Sequence, residues 1–412
     1  MQPHPQTSSD PRPHSSQLKS DSLRDHIPWW ADLDPGVRAE LELPDGPMSL
    51  ERPVDVVVIG GGVAGLSAAL GACRAGVQVL LLERNAWLGY GATGRNAGIL
   101  SAGINMSLAH LPPDGPEAAF WPETTRVLLS LVDEAARPGA LLSACLTGAI
   151  SLAESVRAAR NLAQEARARV ATGLRAEVWT AAQVAEATGG RLNTQGVVAA
   201  LWLPDEGRIQ PLTLLAHLAR QARAEGVVIR GRAHMERCQE ARRGSNGHCW
   251  QLTLAGGAVI YARGLISAVG PVVQANARIY ALAFSADLPD DFPLFWDASP
   301  YTYADFRPGN GRLTVSGGRY GKAGVTRRDA VYHARLAAAA RRWLPDLADK
   351  QPAYAWAVDL AVAADMVPRL RTIGDVAPGV AIEGLGALGV LPGIILGQRA
   401  GARVAGTIER SK

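Results

Sequence analysis

The stretch Val54–Gly65, VDVVVIGGGVAG, decides the fold. Its first six residues form a mainly β-branched run that ends at glycine, which predicts a buried parallel strand. The small residues of Gly62–Ala75 predict a helix, and Val77–Leu82 predicts a second buried strand. Strand, glycine-rich turn, helix and strand within about 30 residues predict a right-handed βαβ unit.

The spacing Gly60-x-Gly62-x-x-Gly65 gives each glycine a task. Gly60 permits the tight turn, Gly62 lets a pyrophosphate approach the backbone, and Gly65 lets the helix pack closely on the strand. The helix start offers free N–H groups and the positive end of the helix dipole to a phosphate. The motif is weak evidence alone, but its position between a predicted strand and a predicted helix makes dinucleotide binding the expectation.

An acidic residue, Glu83, ends the second predicted strand 18 residues after Gly65. A carboxylate at this position accepts hydrogen bonds from the ribose hydroxyls of an adenosine and repels a 2′-phosphate, so NADP is disfavoured. The alternative, a solvated acid at a strand end, does not account for the loop and the spacing together.

The segment Gly91–Gly98, GATGRNAG, favours FAD over NAD. Its small residues let the chain wrap closely against a flat ligand, and Thr93, Arg95 and Asn96 supply polar contacts to a phosphate or a ring. A simple NAD dehydrogenase has no need of such a segment.

Composition excludes several classes of protein. The 412 residues are 48% hydrophobic and 19% charged, and Lys+Arg 42 against Asp+Glu 38 leaves a net charge of +4, too small to argue for nucleic acid. The four cysteines show no metal-binding spacing and read as incidental thiols of a reducing compartment. No signal peptide or apolar run of about 18 residues is seen, so no membrane span is expected and the cytoplasm is the expected location.

The length exceeds one ordinary core and predicts two domains. We expect an α/β fold, with a Rossmann-like FAD-binding domain built from a discontinuous chain and a second, substrate domain with a mixed or antiparallel sheet. The predicted ranges are 51–110, 205–275 and 365–412 for the first domain, and 111–204 and 276–364 for the second. Residues 1–50 are expected to be poorly ordered, although Trp29 and Trp30 are expected to dock on the body of the protein or to mark a partner site.

Three segments resemble the FAD-dependent amine and amino-acid oxidases of the D-amino-acid oxidase, glycine oxidase and sarcosine oxidase superfamily. They are VVVIGGGVAGLSAAL, LLERNAWLGYGATGRNAGIL and DEGRIQPLTLLAHLARQARAEGVVI. The resemblance covers residues 54–408 and is nearest to members like gamma-glutamylputrescine oxidase. It implies FAD contacts from the strand at Val228, from Ala268 and Gly270, and from a C-terminal turn. The predicted cofactor contacts, from the residues and the resemblance together, are Gly60, Gly62, Val63, Ala64, Gly65, Glu83, Arg84, Gly91, Ala92, Thr93, Arg95, Asn96, Ala97, Gly98, Val228, Ala268, Gly270, Gly386, Ala387, Leu388, Gly389 and Val390.

The sequence departs from the family at places that concern the substrate. Leu385 and Leu388 stand where many members carry histidines, and Leu360 stands where many amino-acid oxidases carry a carboxylate-binding arginine after the tryptophan that matches Trp356. Arg319, Arg369 or Arg371 could replace that arginine. Arg95 stands near the place of a flavin-tethering histidine, so a non-covalent cofactor is expected.

Candidate substrate residues lie in the second domain. Tyr303, Arg319 and Tyr320 flank the Gly317-Gly318 pair, where the family resemblance places a strand close to the flavin. With Tyr301, the tyrosines could form an aromatic cage for an amine, because aromatic faces attract cations. Ordinary sheet packing is the alternative for the tyrosines, and a solvent-facing side chain is the alternative for Arg319.

Three functions therefore remain open from the sequence. The first is oxidation of a C–N bond of a small amine or amino acid by hydride transfer to flavin N5, with imine hydrolysis and with oxygen or another electron acceptor. The second is oxidation of a C–OH bond, as in 2-hydroxy acids. The third is a flavin-binding subunit with little turnover, in which case a homo- or hetero-oligomer is possible.

Overall fold

A computed structural model describes residues 26–46, 53–242, 247–269, 275–297 and 303–410. The helices are α1 (Pro28–Ala31), α2 (Pro35–Leu41), α3 (Val63–Arg74), α4 (Phe120–Ala135), α5 (Val156–Ala171), α6 (Ala181–Ala187), α7 (Pro211–Ala224), α8 (Asp329–Trp343) and α9 (Val390–Arg410). Short 3₁₀ turns occur at Thr93–Arg95, Leu108–His110 and Pro345–Leu347. The described helices include none that is both long and apolar enough to cross a bilayer.

The strands fall into three sheets. They are β1 (Val54–Ile59), β2 (Val79–Leu82), β3 (Ile99–Leu100), β4 (Ala144–Leu146), β5 (Ala149–Ala153), β6 (Glu177–Trp179), β7 (Ala199–Leu203), β8 (Gly207–Ile209), β9 (Val228–Arg230), β10 (Met235–Arg242), β11 (His248–Leu254), β12 (Val259–Ser267), β13 (Ala277–Ser285), β14 (Leu294–Asp297), β15 (Ala304–Gly309), β16 (Arg312–Lys322), β17 (Tyr354–Leu360), β18 (Arg369–Thr372) and β19 (Gly379–Glu383).

The first sheet contains the predicted βαβ unit. Its order is β10-β11-β12-β1-β2-β9, and β19 joins β12 and carries β18. Strands β12, β1, β2 and β9 are parallel, so their carboxyl ends meet at one edge of the sheet. Strand β1 is fully buried over its last four residues, which explains its unbroken apolar sequence. The predicted α/β fold and parallel unit are confirmed.

The first and last long helices pack backbone to backbone on this sheet. A Cβ added to Gly397 would lie 2.5 Å from the Ala64 carbonyl oxygen, and one added to Gly401 would lie 2.3 Å from that of Ala68. Glycine at these positions lets α9 approach α3 more closely than side chains would allow. The N-termini of the two helices are thereby brought together, since a Cβ on Gly393 would lie 3.2 Å from Val63 Cγ1.

The second sheet is mixed, with the order β17-β13-β16-β15-β14-β5-β7-β6. Helix α8 covers one face, where Trp343 packs in a core with Phe284, Phe295 and Phe306. The opposite face meets the first domain, because Ala281 and Trp356 belong to the core of that domain. The predicted mixed second sheet is confirmed, and Tyr301, proposed as part of an aromatic cage, lies outside the described residues.

The division into domains stays a prediction. Every strand of the two large sheets falls in the range expected for its sheet, but the small sheet β3-β8-β4 takes strands from both. Helix α4 lies in the range assigned to the second domain, yet its Trp121 and Leu128 are buried in the first core. Helix α4 reaches the first core because it packs on α9.

The lead segment corrects an expectation. Poor order was expected up to residue 50, yet residues 26–46 contain α1 and α2, and Trp29 and Trp30 keep only 5% and 2% of their surface exposed. Asp34 caps α2 by accepting from Gly36 N and Val37 N. The expectation of poor order is wrong for this part because two indoles bury enough apolar area to hold it, and the predicted docking of the tryptophans on the body is confirmed.

Candidate functional site

The loop between β1 and α3 requires its glycines. Gly60 has a φ of +104°, and a Cβ on Gly65 would lie 1.8 Å from the Gly60 carbonyl oxygen. Gly62 begins the helix with no side-chain cap, so the first-turn N–H groups of α3 are available to a ligand, and Val63 N already donates to Thr93 Oγ1 at 3.2 Å. Ala268 lies beside the loop, where its N–H donates to the Ile59 carbonyl at 2.9 Å. This is a phosphate-binding geometry.

Glu83 lies at the edge where the parallel strands end. Its Oε2 accepts from Gly61 N at 2.8 Å, and its Oε1 accepts from Asn85 N at 3.0 Å and from Asn85 Nδ2 at 2.7 Å. The carboxylate is 9% exposed and is therefore fixed in orientation before any ligand arrives. An acceptor held beside the phosphate loop in this way suits the hydroxyls of a ribose.

Three tryptophans hold the turn inside the segment 91–98. Trp30 Nε1 donates to the carbonyl of Gly94 at 3.2 Å, Trp356 Nε1 to that of Arg95 at 2.7 Å, and Trp29 Nε1 to that of Asn96 at 2.9 Å. Three successive carbonyls are thus bonded by indoles from α1 and from β17. We call this set the indole clamp; it joins the lead segment, the cofactor segment and the second sheet.

Arg95 has a buried atom without a partner. Its Nε is buried and makes no hydrogen bond within the described residues, and burial lowers the pKa of the guanidinium. A buried donor left unpaired costs free energy, so a polar ligand group beside Arg95 would stabilise it. Arg95 thereby points to an acceptor that belongs to a ligand.

The C-terminal turn before α9 is fixed by Asn105. Asn105 Nδ2 donates to the Leu385 carbonyl at 3.2 Å, and Leu388 N donates to Asn105 Oδ1 at 3.1 Å. Gly386 has a φ of +59°, and a Cβ there would lie 2.7 Å from Asn105 Nδ2. The turn is therefore built by backbone bonds to an amide, and it does not need the histidines that many relatives carry.

A buried ion triad holds the loop that carries Asn105. Arg169 donates to Glu165 Oε1 and to Glu206 Oε1, each at 2.9 Å, and Glu206 Oε2 accepts from Ala102 N at 2.8 Å. Glu165 accepts from Ser107 Oγ and from the backbone N–H of Ala109. Burial raises the pKa of Glu206, whereas for Glu165 the effect of burial is outweighed by Arg169 and the hydrogen bonds, and its pKa is lowered. The triad fixes residues on both sides of Asn105.

One row of directly paired residues crosses the second sheet on the face that meets the clamp. The row consists of Trp356, Ala281, Ser316, Asp305 and Trp296. Directly opposed residues point to the same face, and Trp356 in this row bonds the Arg95 carbonyl. We call it the junction row. Asp305 is its charged member, about 14 Å from Trp356 across three strand spacings.

Asp305 lies in an environment that disfavours its charge. Burial, and secondarily the negative charge of Asp297, raise the pKa of Asp305 to about 7. The negative charge of Asp305 in turn adds to the effect of burial in raising the pKa of the Tyr303 and Tyr320 hydroxyls. Tyr303 has 51% of its surface exposed while its hydroxyl is desolvated, so the ring borders open space and the hydroxyl end is enclosed. The two tyrosines and the acid form one electrostatic cluster.

Arg307, two residues along β15, is a buried cation. It donates to the carbonyls of Gly98 at 3.4 Å and Ile209 at 3.3 Å, and it lies 4.7 Å from the Trp29 ring centroid. Burial, with the nearby charge of Arg208, lowers its pKa to about 9. Arg307 thus fastens the second sheet to the end of the cofactor segment.

The structure brings together most of the predicted cofactor residues. The carboxyl edge of the first sheet is surrounded by the loop residues Gly60–Gly65, by Glu83, by Ala268 and by the segment 93–98. The turn Gly386–Val390 lies beside Asn105. Arg84, Gly91 and Ala92 are exposed residues at that edge. Val228 begins β9 opposite Leu80, two residues before the edge, and is 45% exposed, so it is not brought to the site. Gly270 lies outside the described residues.

Of the predicted substrate residues, Tyr303 and Tyr320 are brought together and Arg319 is not, since its side chain is exposed on β16. Sequence reasoning missed Asp305, Asn105 and Asn85. The alternation of Asp305 and Arg307 with buried Ala304 and Phe306 was a usable signal, because two charges on one face of a buried strand need partners. Nothing local in the sequence marks Asn105.

The site fits FAD. The uncapped start of α3 and the cradle formed by Gly60 and Gly65 would hold the diphosphate, Glu83 would hold the adenosine ribose, and the unpaired Arg95 Nε offers a donor to the remainder. The second sheet closes the site over the segment 94–98 through Trp356 and Arg307.

Comparison with known proteins agrees with this geometry. The chain is 25% identical over 381 residues to a probable oxidoreductase, OrdL, of Rhizobium meliloti (strain 1021), covering 86% of this chain and 85% of that protein. It is 39% identical over 80 residues to the gamma-glutamylputrescine oxidoreductase of Escherichia coli (strain K12), covering 19% and 17%. The crystal structure of glycine oxidase from Geobacillus kaustophilus superposes with a TM-score of 0.71 at 20% identity, covering 87% and 95%.

The family described as DAO, FAD dependent oxidoreductase, matches residues 55–403, which span both large sheets and all of the site except Trp29 and Trp30 of the indole clamp. The chain therefore belongs to the DAO family of FAD-dependent oxidoreductases.

Proposed function

We propose that this FAD-dependent oxidoreductase oxidises a C–N bond of a small amine or amino acid. The observation that carries the proposal is the indole clamp. At the clamp, the proposed dinucleotide site meets the face of the second sheet that bears Asp305, Tyr303 and Tyr320. Glycine oxidase and gamma-glutamylputrescine oxidoreductase, which resemble the chain, support a nitrogen-bearing substrate.

The chemistry divides between cofactor and chain. When bound, FAD supplies at N5 the acceptor for the hydride that leaves the carbon next to nitrogen. The indole clamp and Asn105 fix the backbone on the two sides of the site, so that the bound cofactor would be held in one orientation. The imine product is released to water and hydrolyses, and oxygen or another electron acceptor completes the cycle. FAD is proposed to be held without a covalent bond.

The substrate anchor differs from that of carboxylate-binding relatives. Leu360 ends β17 opposite Ala277 and offers no charge. Two arginines that could replace the missing one are already paired, Arg369 with Asp365 and Arg371 with Glu383. The described residues near the junction row therefore favour a substrate recognised through nitrogen over one recognised through a carboxylate.

The proposal is tested with the purified, FAD-loaded protein under anaerobic conditions. Primary and secondary amines, neutral and acidic amino acids, and 2-hydroxy acids are added in turn, and bleaching of the flavin absorbance is followed. Bleaching by an amine or amino acid, with ammonia or a shortened amine as product, supports the proposal. Bleaching by hydroxy acids alone would replace it with C–OH oxidation, and no bleaching by any compound would favour a flavin-binding subunit with little turnover.

A further inference from the structure

The strongest unexplained group in the molecule is the carboxylate of Asp305. It makes no hydrogen bond or ion pair with any residue that the structure describes, although its backbone lies inside a buried strand. Arg307, on the same face, donates to the carbonyls of Gly98 and Ile209 and leaves Asp305 unpaired. An ionised carboxylate removed from water without a partner is costly, so the group is expected to meet a cation in the working protein.

The neighbouring acid, Asp297, behaves differently. Its Oδ1 accepts from Ala304 N at 3.0 Å and its Oδ2 accepts from Trp343 Nε1 at 3.4 Å, and it is 1% exposed. Asp297 thus belongs to the packing of the second sheet. Asp305 points to the opposite face of the sheet, the one that carries the junction row, because it lies directly opposite Ser316 and Trp296 in the strand register.

The surroundings of Asp305 suit a cationic nitrogen. Its cross-strand neighbour Trp296 and the two hydroxyl-bearing rings of Tyr303 and Tyr320 supply aromatic surface around the acid. Aromatic faces and a carboxylate together are the chemistry that binds ammonium groups. Ala281 and Ser316, which separate Asp305 from Trp356 along the row, are buried, whereas Asp305, Trp296 and Tyr320 are half-buried and Tyr303 is 51% exposed, so a ligand would reach the acid from the side of the tyrosines.

We propose that Asp305, flanked by Trp296, Tyr303 and Tyr320, is the subsite that binds the cationic nitrogen of the substrate, so that the substrate class is cationic amines. This inference rests on the proposed function and names the group through which that site recognises its substrate. An α-amino acid presents a carboxylate as well, and this carboxylate would be repelled by Asp305 at short range.

The proposal has a pH consequence. Asp305 is ionised above its pKa of about 7 and neutral below it, so affinity for an ammonium group falls as the pH drops through that value. Among the described residues, the charged or titratable groups near Asp305 are Arg307 on the same face of β15, the hydroxyls of Tyr303 and Tyr320, whose pKa values burial raises, and Asp297, whose charge acts from the opposite face of the sheet. Both tyrosines stay protonated through the range, which leaves the change to Asp305.

The experiment uses three ligands that share a tert-butyl group and differ in the charge of the polar group. tert-Butylamine is a cation at pH 8, pivalate is an anion and tert-butanol is neutral, and the amine carries no hydrogen on the carbon next to nitrogen and cannot be oxidised. Binding of each to the FAD-loaded protein is measured by calorimetry. We expect the amine to bind about tenfold more tightly than the alcohol, as a charge-assisted hydrogen bond predicts, and pivalate to bind more weakly than either.

The substitution Asp305→Asn should remove the preference for the amine over the alcohol, while Asp287→Asn, at an exposed site after β13, should retain it. If Asp305→Asn does not fold, the pH profile of the unmodified protein decides, since the preference must fall between pH 8 and pH 6. An unchanged preference in Asp305→Asn, tighter binding of pivalate, or a flat pH profile would each overturn the subsite. A panel in which no amine or amino acid bleaches the flavin, with the tert-butylamine result intact, would instead reject the proposed function.

Discussion

The phosphate loop after β1 and the junction row of the second sheet are built in different ways. The loop is made of backbone: Gly60 adopts a positive φ, and Gly65 leaves no space for a Cβ. The row is made of side chains, with one unpaired carboxylate between two tryptophans. A Cβ at Gly65 therefore cannot be accommodated in the loop, whereas the row is expected to respond to changes of charge at Asp305. We propose that cofactor identity depends on the first region and substrate selection on the second.

Replacing Gly65 with alanine should give the largest effect. The new Cβ would lie 1.8 Å from the Gly60 carbonyl oxygen, and neither backbone can yield without opening the turn between β1 and α3. Overpacking of about 3 kcal/mol corresponds to about a hundredfold weaker binding of FAD. The dissociation constant for FAD is measured by fluorescence quenching. Gly406→Ala on α9, where the new Cβ would meet only Arg410 Nη1 at 3.5 Å, should leave it unchanged, and equal effects would contradict the comparison.

The substitution Glu83→Gln tests the one side chain on which the loop depends. The amide keeps one acceptor for Gly61 N and Asn85 but loses the charge, and its NH₂ group faces one of these donors. Loss of charge-assisted bonds worth about 1.5–3 kcal/mol predicts a tenfold or greater weakening of FAD binding. Glu186→Gln on the exposed face of α6 serves as control. Wild-type affinity in Glu83→Gln would mean that the backbone alone holds the nucleotide.

The same contrast explains how much the sequence could reveal. Gly60, Gly65 and Glu83 act at fixed spacings within one βαβ unit, so their positions could be predicted from the chain. Asn105 and Trp356 act across 280 and 261 residues of chain, and their partners follow from strand order and register, which no local pattern contains. Val228 was assigned to the cofactor by resemblance, and the register of β9 against β2 places it too early along the strand.

Asp305→Asn should alter stability in a pH-dependent way. The pKa of Asp305 in the folded state is about 7, above its usual value of 3.8, so the folded protein binds this proton more tightly than the unfolded chain does. Stability from this group is present at low pH and is lost as the pH rises through about 7. The neutral amide escapes that loss, and a gain of 1 kcal/mol corresponds to a Tm increase of about 2 °C in a chain of this size.

The measurement is thermal unfolding of the ligand-free holoprotein at pH 8 and at pH 5.5. The Tm difference in favour of the variant should be larger at pH 8 than at pH 5.5, because the parent loses this stability progressively between the usual pKa of 3.8 and the folded-state pKa of about 7. Asp287→Asn controls for the general effect of removing one negative charge. A variant that is less stable at pH 8 would show that the carboxylate has a favourable partner. The junction row would then not contain an unpaired charge, which contradicts the comparison with the loop.

The smallest expected effect concerns the indole clamp, where the two regions meet. Trp30→Phe keeps the ring's apolar contacts and removes the donor to the Gly94 carbonyl, which is a buried bond. A net loss of about 1 kcal/mol predicts about fivefold weaker FAD binding. Trp356→Phe removes the equivalent bond to Arg95 from the side of the second sheet and should weaken FAD by a similar factor. Because both bonds hold one turn, the double variant should lose less than the product of the two factors. Additive losses would show that the two bonds do not hold one turn together. A drop in Tm of the FAD-free protein with an unchanged FAD dissociation constant would show that α1 only packs on the body and does not position the cofactor segment.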